Sequence, residues 1–168
     1  MSTHQELEEE ISRIAKLVQE PSATEERDTV VITTPIPLLA AGEVLQNWIL
    51  PQTYFIANRA YLITSIQEVH DTAQTAADGC SLQVVKNTGT VAPGSSDINL
   101  ITNTAYSGSG RVDKGFDQKG IAANTVTTGT LTNQVASLTL AAGDRLVWGM
   151  NGTASTTFIS LTTTLSKV

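Results

Sequence analysis

The sequence predicts a mainly β protein: an antiparallel β-sandwich of the jelly-roll type with a short amphipathic helical arm at its N-terminus. Threonine supplies 25 of the 168 residues, and its branched side chain fits a half-exposed strand better than a helix. About eight short apolar stretches alternate with turn residues after position 28, which is typical of sandwiches. We therefore divide the chain into an arm with its linker, 1–28, and a β-sandwich domain, 29–168.

The arm is predicted to form a helix with one apolar stripe. Leu7, Ile11, Ile14 and Val18 are separated by four, three and four residues, the spacing of a short coiled-coil seam, and Pro21 ends the pattern. Because so short a helix is marginal by itself, we expect the stripe to pack against its own domain, against symmetry mates or against a partner protein. Disorder is the remaining alternative, and the mixed seam does not fix the number of helices.

Charge is concentrated in the same N-terminal segment. Residues 1–28 carry eight acidic and three basic side chains, whereas the whole chain carries 16 and 10. No cluster of Lys and Arg is present, which argues against a nucleic-acid partner. The N-terminus lacks the pattern of a signal peptide, and no apolar run reaches the roughly 18 residues of a membrane span. We expect a protein that is made in a cytoplasm and needs no membrane.

The β-domain is predicted to begin with a strand at 29–34, and the Pro-rich "TPIP" that follows excludes a regular central strand. The stretch 89–120 is rich in Gly, Ser and Asp, so we expect exposed loops there, apart from a short apolar run. Further predicted strands or apolar runs lie at 43–51, 53–58, 59–69, 80–87, 98–102, 124–131, 135–140, 145–150 and 156–168.

The clearest turn signals lie in "SLTLAAGDRLVWGMNGT", residues 137–153. Two alternating stretches, which we predict to pair as a hairpin, flank Gly143, which can adopt a positive φ, and Asp144, whose side chain can hold a turn. The Asn-Gly pair at 151–152 is a strong hairpin signal. Leu138 and Leu140 are predicted to share one face of a strand, and the alternation predicts a core face and a wet face throughout.

The sequence contains no convincing catalytic arrangement. His4 and His70 have no placed partner, and the lone Cys80 is expected to fill a small space. The Gly-rich "GSGRVDKG" is typical of a flexible loop, and "HDTAQTAADG" lacks the alternating oxygen ligands of a calcium loop. Trp48 and Trp148 lie in apolar runs, where core packing is expected. We therefore predict no enzymatic activity, no cofactor and no metal.

The architecture and the C-terminal segment resemble the small jelly-roll decoration, or cement, proteins of tailed-phage heads. In that family a polar strand, an A-G-D turn and an apolar strand close the sandwich, and an N-terminal arm commonly reaches neighbouring subunits. As a motif the resemblance covers about 20 residues, while the likeness of architecture covers 29–168. The residues that stand where the motif would place them are Leu140, Gly143, Asp144, Leu146 and Trp148.

The resemblance implies a homotrimer on the outer capsid surface of a virion, made in the host cytoplasm, that stabilises contacts between copies of the major capsid protein. No nucleic acid or membrane partner is implied. The alternatives are a phage adhesin or carbohydrate-binding module that recognises a cell surface, and a structural component of the tail or baseplate. The expected contact residues are Leu7, Ile11, Ile14, Val18, Val30, Ile32, Ile36 and Leu38.

Overall fold

The structure is a computed structural model that describes residues 28–37, 44–74, 79–88, 97–106, 112–153 and 158–168. It is mainly β, as the sequence predicts, and all of its strand pairs are antiparallel. The elements within the described residues are β1 (Thr29–Pro37), β2 (Val44–Ile56), β3 (Tyr61–His70), β4 (Cys80–Asn87), β5 (Ile98–Asn99), β6 (Thr104–Tyr106), β7 (Val112–Lys114), β8 (Phe116–Asp117), β9 (Thr127–Thr128), α1 (Val135–Leu138), β10 (Thr139–Leu140), β11 (Arg145–Thr153) and β12 (Phe158–Lys167).

Two five-stranded sheets and a small hairpin make up this fold. The first sheet has the order β1-β12-β3-β10, with β9 also paired to β3, and the second has the order β2-β11-β4-β5, with β8 also paired to β4. Strands β6 and β7 form the hairpin. In each sheet three long strands are followed by two short strands that share one edge.

One hydrophobic cluster takes side chains from both sheets. Burial of these aliphatic and aromatic side chains is the main force that stabilises the fold. The Tyr54 hydroxyl also makes a 2.9 Å hydrogen bond with the hydroxyl of buried Thr163, which links β2 of the second sheet to β12 of the first. The cluster includes Ile63, Ile66, Leu161 and Leu165 from the first sheet and Leu82, Val84, Leu146 and Trp148 from the second.

The sheets are also joined by backbone hydrogen bonds along one side, which we call the sealed edge, residues 100–102 and 130–132. The Leu100 amide donates to Val84 of β4, while the Thr102 amide donates to Thr130 at 2.8 Å. Ile101 and Leu131 form an isolated bridge. Leu100 and Ile101 belong to the apolar run that the sequence sets apart from the predicted exposed loops of 89–120, and both are buried. Phe116 and Gln118 lie within the stretch predicted as exposed loops but are buried as well, so the prediction is wrong for these two residues.

The prolines lie where the sheets tolerate them. Strand β1 continues through Pro35 and Pro37, but it lies at the edge of its sheet and not at the centre. Strand β2 contains Pro51, where the register to β11 shifts between the partners of Trp148 and Met150. The two apolar runs predicted at 43–51 and 53–58 therefore belong to one strand, whose register to β11 is irregular.

The predicted strand at 135–140 is wrong in its first part. Residues 135–138 form the single turn α1, because the Ser137 and Leu138 amides both donate to the Gln134 carbonyl. The Thr139 hydroxyl then donates to the Val135 carbonyl at 2.9 Å, which favours this local turn over an extended ladder. Only Thr139–Leu140 is a strand, so the predicted shared face of Leu138 and Leu140 is wrong.

The "AAGD" turn has the predicted local chemistry but not the predicted topology. Gly143 has a φ of 93°, and the Asp144 carboxylate accepts the Ala141 amide at 2.9 Å. However, β10 pairs with β3 while β11 pairs with β2 and β4. The turn therefore carries the chain from one sheet to the other and does not close a hairpin.

The predicted hairpin turn at 151–152 is also wrong, because both residues lie inside β11. Gly152 has a φ of 103° and is paired with Cys80. A Cβ atom at this position would overlap the Gly79 carbonyl oxygen. Glycine is therefore required here by a close approach of two strands and not by a turn.

The prediction of one core face and one wet face holds for the first sheet only. Strand β12 alternates between buried and half-exposed residues after Phe158. In contrast, all eight residues of β4 are buried, including the polar Ser81, Gln83 and Asn87. In β11, Val147 is as fully buried as its core-facing neighbour Leu146. The second sheet is therefore covered on both faces of its central strands.

Candidate functional site

Strand β1 has a strand partner on one side only among the described residues, and its free side is called the open edge below. The Lys167 amide of β12 donates to the Asp28 carbonyl at 2.7 Å. The register between β1 and β12 continues from there without irregularity. Hydrogen-bonded pairs alternate along an antiparallel ladder. The even-numbered residues of β1 therefore bond to β12, and the backbone groups of the odd-numbered residues point away from it.

This alternation explains how the strand accommodates two prolines. Thr29, Val31 and Thr33 direct their N–H groups to the open edge. Pro35 and Pro37, which have no N–H, occupy the next two positions of the same kind. The open edge consequently offers three backbone donors in its first half and none in its second half.

The side chains of β1 divide into an inner and an outer set. Val30 and Ile32 are half-buried against the core, and Ile36 has no exposed surface. These three predicted contact residues therefore support the core of their own chain. The outer set includes Thr33 and Val31, whose side chain is 61% exposed. The sequence did not single out Val31, although its alternation with the buried residues could have identified it.

The other predicted contact residues cannot be placed relative to this edge. Leu7, Ile11, Ile14 and Val18, together with the whole helical arm, lie outside the described residues, and so does Leu38.

The outer face of the first sheet is polar and uncharged along one row of side chains. Thr33 of β1 and Thr162 of β12 are paired, and their hydroxyls are 3.2 Å apart. Thr162 is paired in turn with Gln67 of β3, whose amide donates to the Thr128 hydroxyl of β9 at 3.0 Å. This row runs across four strands and is exposed or half-exposed at each position.

A depression of about 250 Å³ lies beside the sealed edge. The Asp117 carboxylate accepts the Lys119 amide at 3.1 Å, and Asn103 accepts the Thr130 amide at 2.5 Å. Phe116 is only 2% exposed, so it offers no aromatic platform to a ligand. The depression is lined by Asn103, Thr104, Gly115, Phe116, Asp117, Gly120, Ile121, Thr127 and Thr128.

A buried polar cluster formed by Glu68, His70 and Gln118 lies near this depression. Glu68 and His70 are each 1% exposed, and Gln118 is 0% exposed. His70 Nδ1 lies 3.2 and 3.3 Å from the two carboxylate oxygens of Glu68. The prediction that His70 is a partnerless loop residue is therefore wrong. Its spacing of two from Glu68 in an alternating strand was the signal that could have revealed the pair.

Burial raises the pKa of two groups in this region, Glu68 and Cys80. Loss of solvent raises the pKa of Glu68, and the weaker effects of His70 and Gln118 oppose that shift. Burial, with a smaller contribution from Asp117, raises the pKa of Cys80 to about 12. The Cys80 thiol is therefore protonated near neutral pH and unsuited to nucleophilic attack. It fills space in the core, as the sequence predicts.

Within the described ranges, no group of three or more His, Cys, Asp and Glu residues is arranged to hold a metal ion. No helix in those ranges is long and apolar enough to cross a membrane.

Comparison with known proteins gives no match. No protein-family model matches the chain, no curated protein matches its sequence, and no solved structure matches its fold. Proposals about function therefore depend on the residues and geometry described above.

Proposed function

We propose that the chain is a structural, non-enzymatic virion protein that decorates the outer surface of a capsid as a homotrimer and stabilises contacts between major capsid proteins. The observation that carries this proposal is the position of β1. The first strand after the N-terminal arm lies at an open edge, with three outward backbone donors and an exposed Val31. The resemblance to tailed-phage decoration proteins implies an N-terminal arm that reaches neighbouring subunits, and an edge strand directly after the predicted arm can take part in the same contact.

We also propose that the two sheets form a β-sandwich of the jelly-roll type. An eight-stranded jelly roll is an antiparallel ribbon wrapped on itself, so its first strand pairs with its last, its second with its seventh, and so on. If β1, β2, β3, β4, β5, β10, β11 and β12 are counted as the eight strands, the pairs β1·β12, β2·β11, β3·β10 and β4·β5 follow this rule. The β6–β7 hairpin and α1 are then insertions.

The open edge supports a contact between subunits because it combines two kinds of interaction. An added strand would satisfy the N–H groups of Thr29, Val31 and Thr33, as in β-strand addition. The same strand would cover the exposed Val31 side chain, and burial of a valine contributes about 1.5–3 kcal/mol. Pro35 and Pro37 limit the contact to the first half of β1, which opposes unlimited edge-to-edge stacking.

The arm is tested by deletion of residues 1–27. We expect the shortened chain to keep the β-sheet circular dichroism of the intact protein but to lose most of its occupancy on expanded heads of the virus that encodes it. Undiminished occupancy would contradict a role for the arm. Binding to tails or baseplates, with none to heads, would instead favour the alternative of a tail or baseplate component.

The open edge is tested by Val31→Lys, with Val126→Lys as the matched control. Both valines are more than 60% exposed, but Val126 lies outside the strands, far along the chain from β1. We expect Val31→Lys to weaken self-association about tenfold or more, the equivalent of 1.4 kcal/mol, and Val126→Lys to leave it unchanged. Equal effects of the two variants would contradict a specific contact through β1.

The second candidate, a carbohydrate-binding module or adhesin, is favoured by the depression beside the sealed edge. The Asp117 carboxylate and the threonine hydroxyls around it can hydrogen-bond a polyhydroxyl ligand. The buried Phe116 counts against it, since sugar sites usually expose an aromatic ring. Binding of the intact chain to an immobilised glycan, lost in Asp117→Asn, would favour this function over capsid decoration.

A further inference from the structure

The Glu68–His70–Gln118 cluster lies in the interior between the two sheets. In β3, Ile66, Glu68 and His70 are buried while the residues between them are half-buried, so the three side chains point inward. Gln118 directly follows β8, and its backbone N–H donates to the Cys80 carbonyl of β4 at 3.0 Å. The cluster therefore takes two residues from the first sheet and one from the edge of the second.

The hydrogen bonds of this cluster are incomplete. We assign the ring hydrogen of His70 to Nδ1, because this nitrogen faces the Glu68 carboxylate, and Nε2 is then a hydrogen-bond acceptor. Within the described part of the chain, His70 Nε2 and both polar atoms of the Gln118 amide have no hydrogen-bond partner. The Gln118 amide lies near enough to influence the Glu68 carboxyl, but not in good hydrogen-bond geometry.

Buried polar atoms without a hydrogen-bond partner are rare in folded proteins, because an unsatisfied polar group loses its solvation without compensation. We propose that the cluster binds an internal water molecule that donates one hydrogen to His70 Nε2 and the other to Gln118 Oε1. Water matches the two free acceptors because it is a neutral molecule with two donors. Internal waters typically make about three hydrogen bonds to buried polar groups. Besides the two that it donates, this water would accept a third from the side-chain nitrogen of Gln118 or from a nearby donor.

Ligands other than water fit the cluster less well. The cluster offers a metal ion only Glu68 and His70, and no group of three or more His, Cys, Asp and Glu residues in the described ranges is arranged to hold one. Among the described residues, none of the three cluster residues lines the depression, so a larger polar molecule held there would not contact the cluster. The guest that these atoms select is therefore small, neutral and able to donate twice.

The water would link the two sheets next to the segment 118–124, whose backbone is hydrogen-bonded to β3 of the first sheet at Asn124. The Asn124 amide donates to the His70 carbonyl at 2.7 Å, and its side chain donates to the Asp71 carbonyl at 3.3 Å. Asn124 has a positive φ of 57°, which asparagine tolerates well. The segment from Gln118 to Asn124 thus covers the cluster, so we expect the water to exchange slowly with bulk solvent.

The test is water-selective nuclear Overhauser spectroscopy on the intact, isotope-labelled chain. We expect a cross-peak of the sign typical of a long-lived water between solvent and the His70 ring proton next to Nε2. We also expect a 15N shift of Nε2 typical of a hydrogen-bonded acceptor. A folded wild-type protein without this cross-peak would overturn the proposal.

Gln118→Leu should abolish the cross-peak. Gln67→Leu, which changes a residue on the outward face of β3 next to Glu68, should retain it. Gln118→Met, which preserves the length of the side chain, serves if the leucine variant does not fold. Persistence of an unchanged cross-peak in a folded Gln118 variant would overturn the role of that residue. A large shift of the His70 signals on titration with Zn²⁺, reversed by a chelator, would overturn water in favour of a cation.

Discussion

The two sides of the described fold differ in how their backbone is used. At the sealed edge, residues 100–102 and 130–132 are hydrogen-bonded to each other, and Leu100 also bonds to β4. At the open edge, the odd-numbered residues of β1 have no strand to bond to among the described residues. Sheet edges invite association unless they are covered. The sealed edge therefore contributes to the stability of the chain, whereas the open edge is the side at which we propose that subunits assemble.

The largest difference between the two edges should appear on truncation of an aliphatic side chain. Ile101 is 1% exposed and Val31 is 61% exposed. We expect Ile101→Ala to lower the free energy of unfolding by about 2–5 kcal/mol, because it leaves a cavity in the core. Val31→Ala should change it by less than about 0.5 kcal/mol in the separated subunit.

Chemical denaturation of both variants at low protein concentration measures these values. Similar losses for the two variants would contradict the division between a stabilising edge and an assembling edge.

A smaller difference is expected between two glycines with positive φ. Gly115, next to the sealed edge, has a φ of 146°, and a Cβ atom there would overlap the Leu82 carbonyl oxygen. Gly143 has a φ of 93°, but a Cβ atom would meet nothing within 4 Å. Gly115→Ala adds a backbone clash to the conformational strain, so we expect a cost above about 2 kcal/mol, against about 1 kcal/mol for Gly143→Ala.

Thermal unfolding monitored by circular dichroism compares this pair of variants directly. If Gly143→Ala were the more destabilising change, the close packing inferred at Gly115 would be wrong.

The smallest effect concerns pH dependence beside the sealed edge, where Glu68 is paired with Thr127 of β9. Burial raises the pKa of Glu68 above its ordinary value of 4.5. The folded chain therefore binds this proton more readily than the unfolded chain. The stability that Glu68 supplies is fully present below about pH 4.5 and declines as the pH rises toward the folded-state pKa.

Glu68→Gln should remove this decline, because its amide oxygen can still accept from His70 while carrying no charge. We expect the variant to gain stability relative to the wild type as the pH rises from about 4 to 7. Urea denaturation across this range gives the two profiles, and a relative loss on raising the pH would contradict the shift assigned to Glu68.

The sequence predicted the elements whose local pattern agrees with their final environment. The alternation of the first sheet located β3 and β12, and the Pro-rich end of β1 correctly argued against a central strand. Local turn chemistry was also readable at Gly143 and Asp144.

The errors arose where tertiary contacts override local pattern. The Asn-Gly pair at 151–152 lies in a strand because β4 approaches it closely, a contact between residues about 70 positions apart. The topology of the "AAGD" turn depends on which strands are neighbours, which a short segment does not encode. His70 was missed because the sequence shows its spacing from Glu68 but shows neither its burial nor the approach of Gln118 to Glu68 from a distant part of the chain.

The mass of the intact chain in solution decides whether the arm and the open edge of β1 assemble a homotrimer. Light scattering during size-exclusion chromatography, with and without capsids, makes this measurement. We expect a particle of three times the 17.8 kDa chain mass, which dissociates more readily after Val31→Lys. A monomer at all concentrations, or a trimer indifferent to that change, would contradict this expectation.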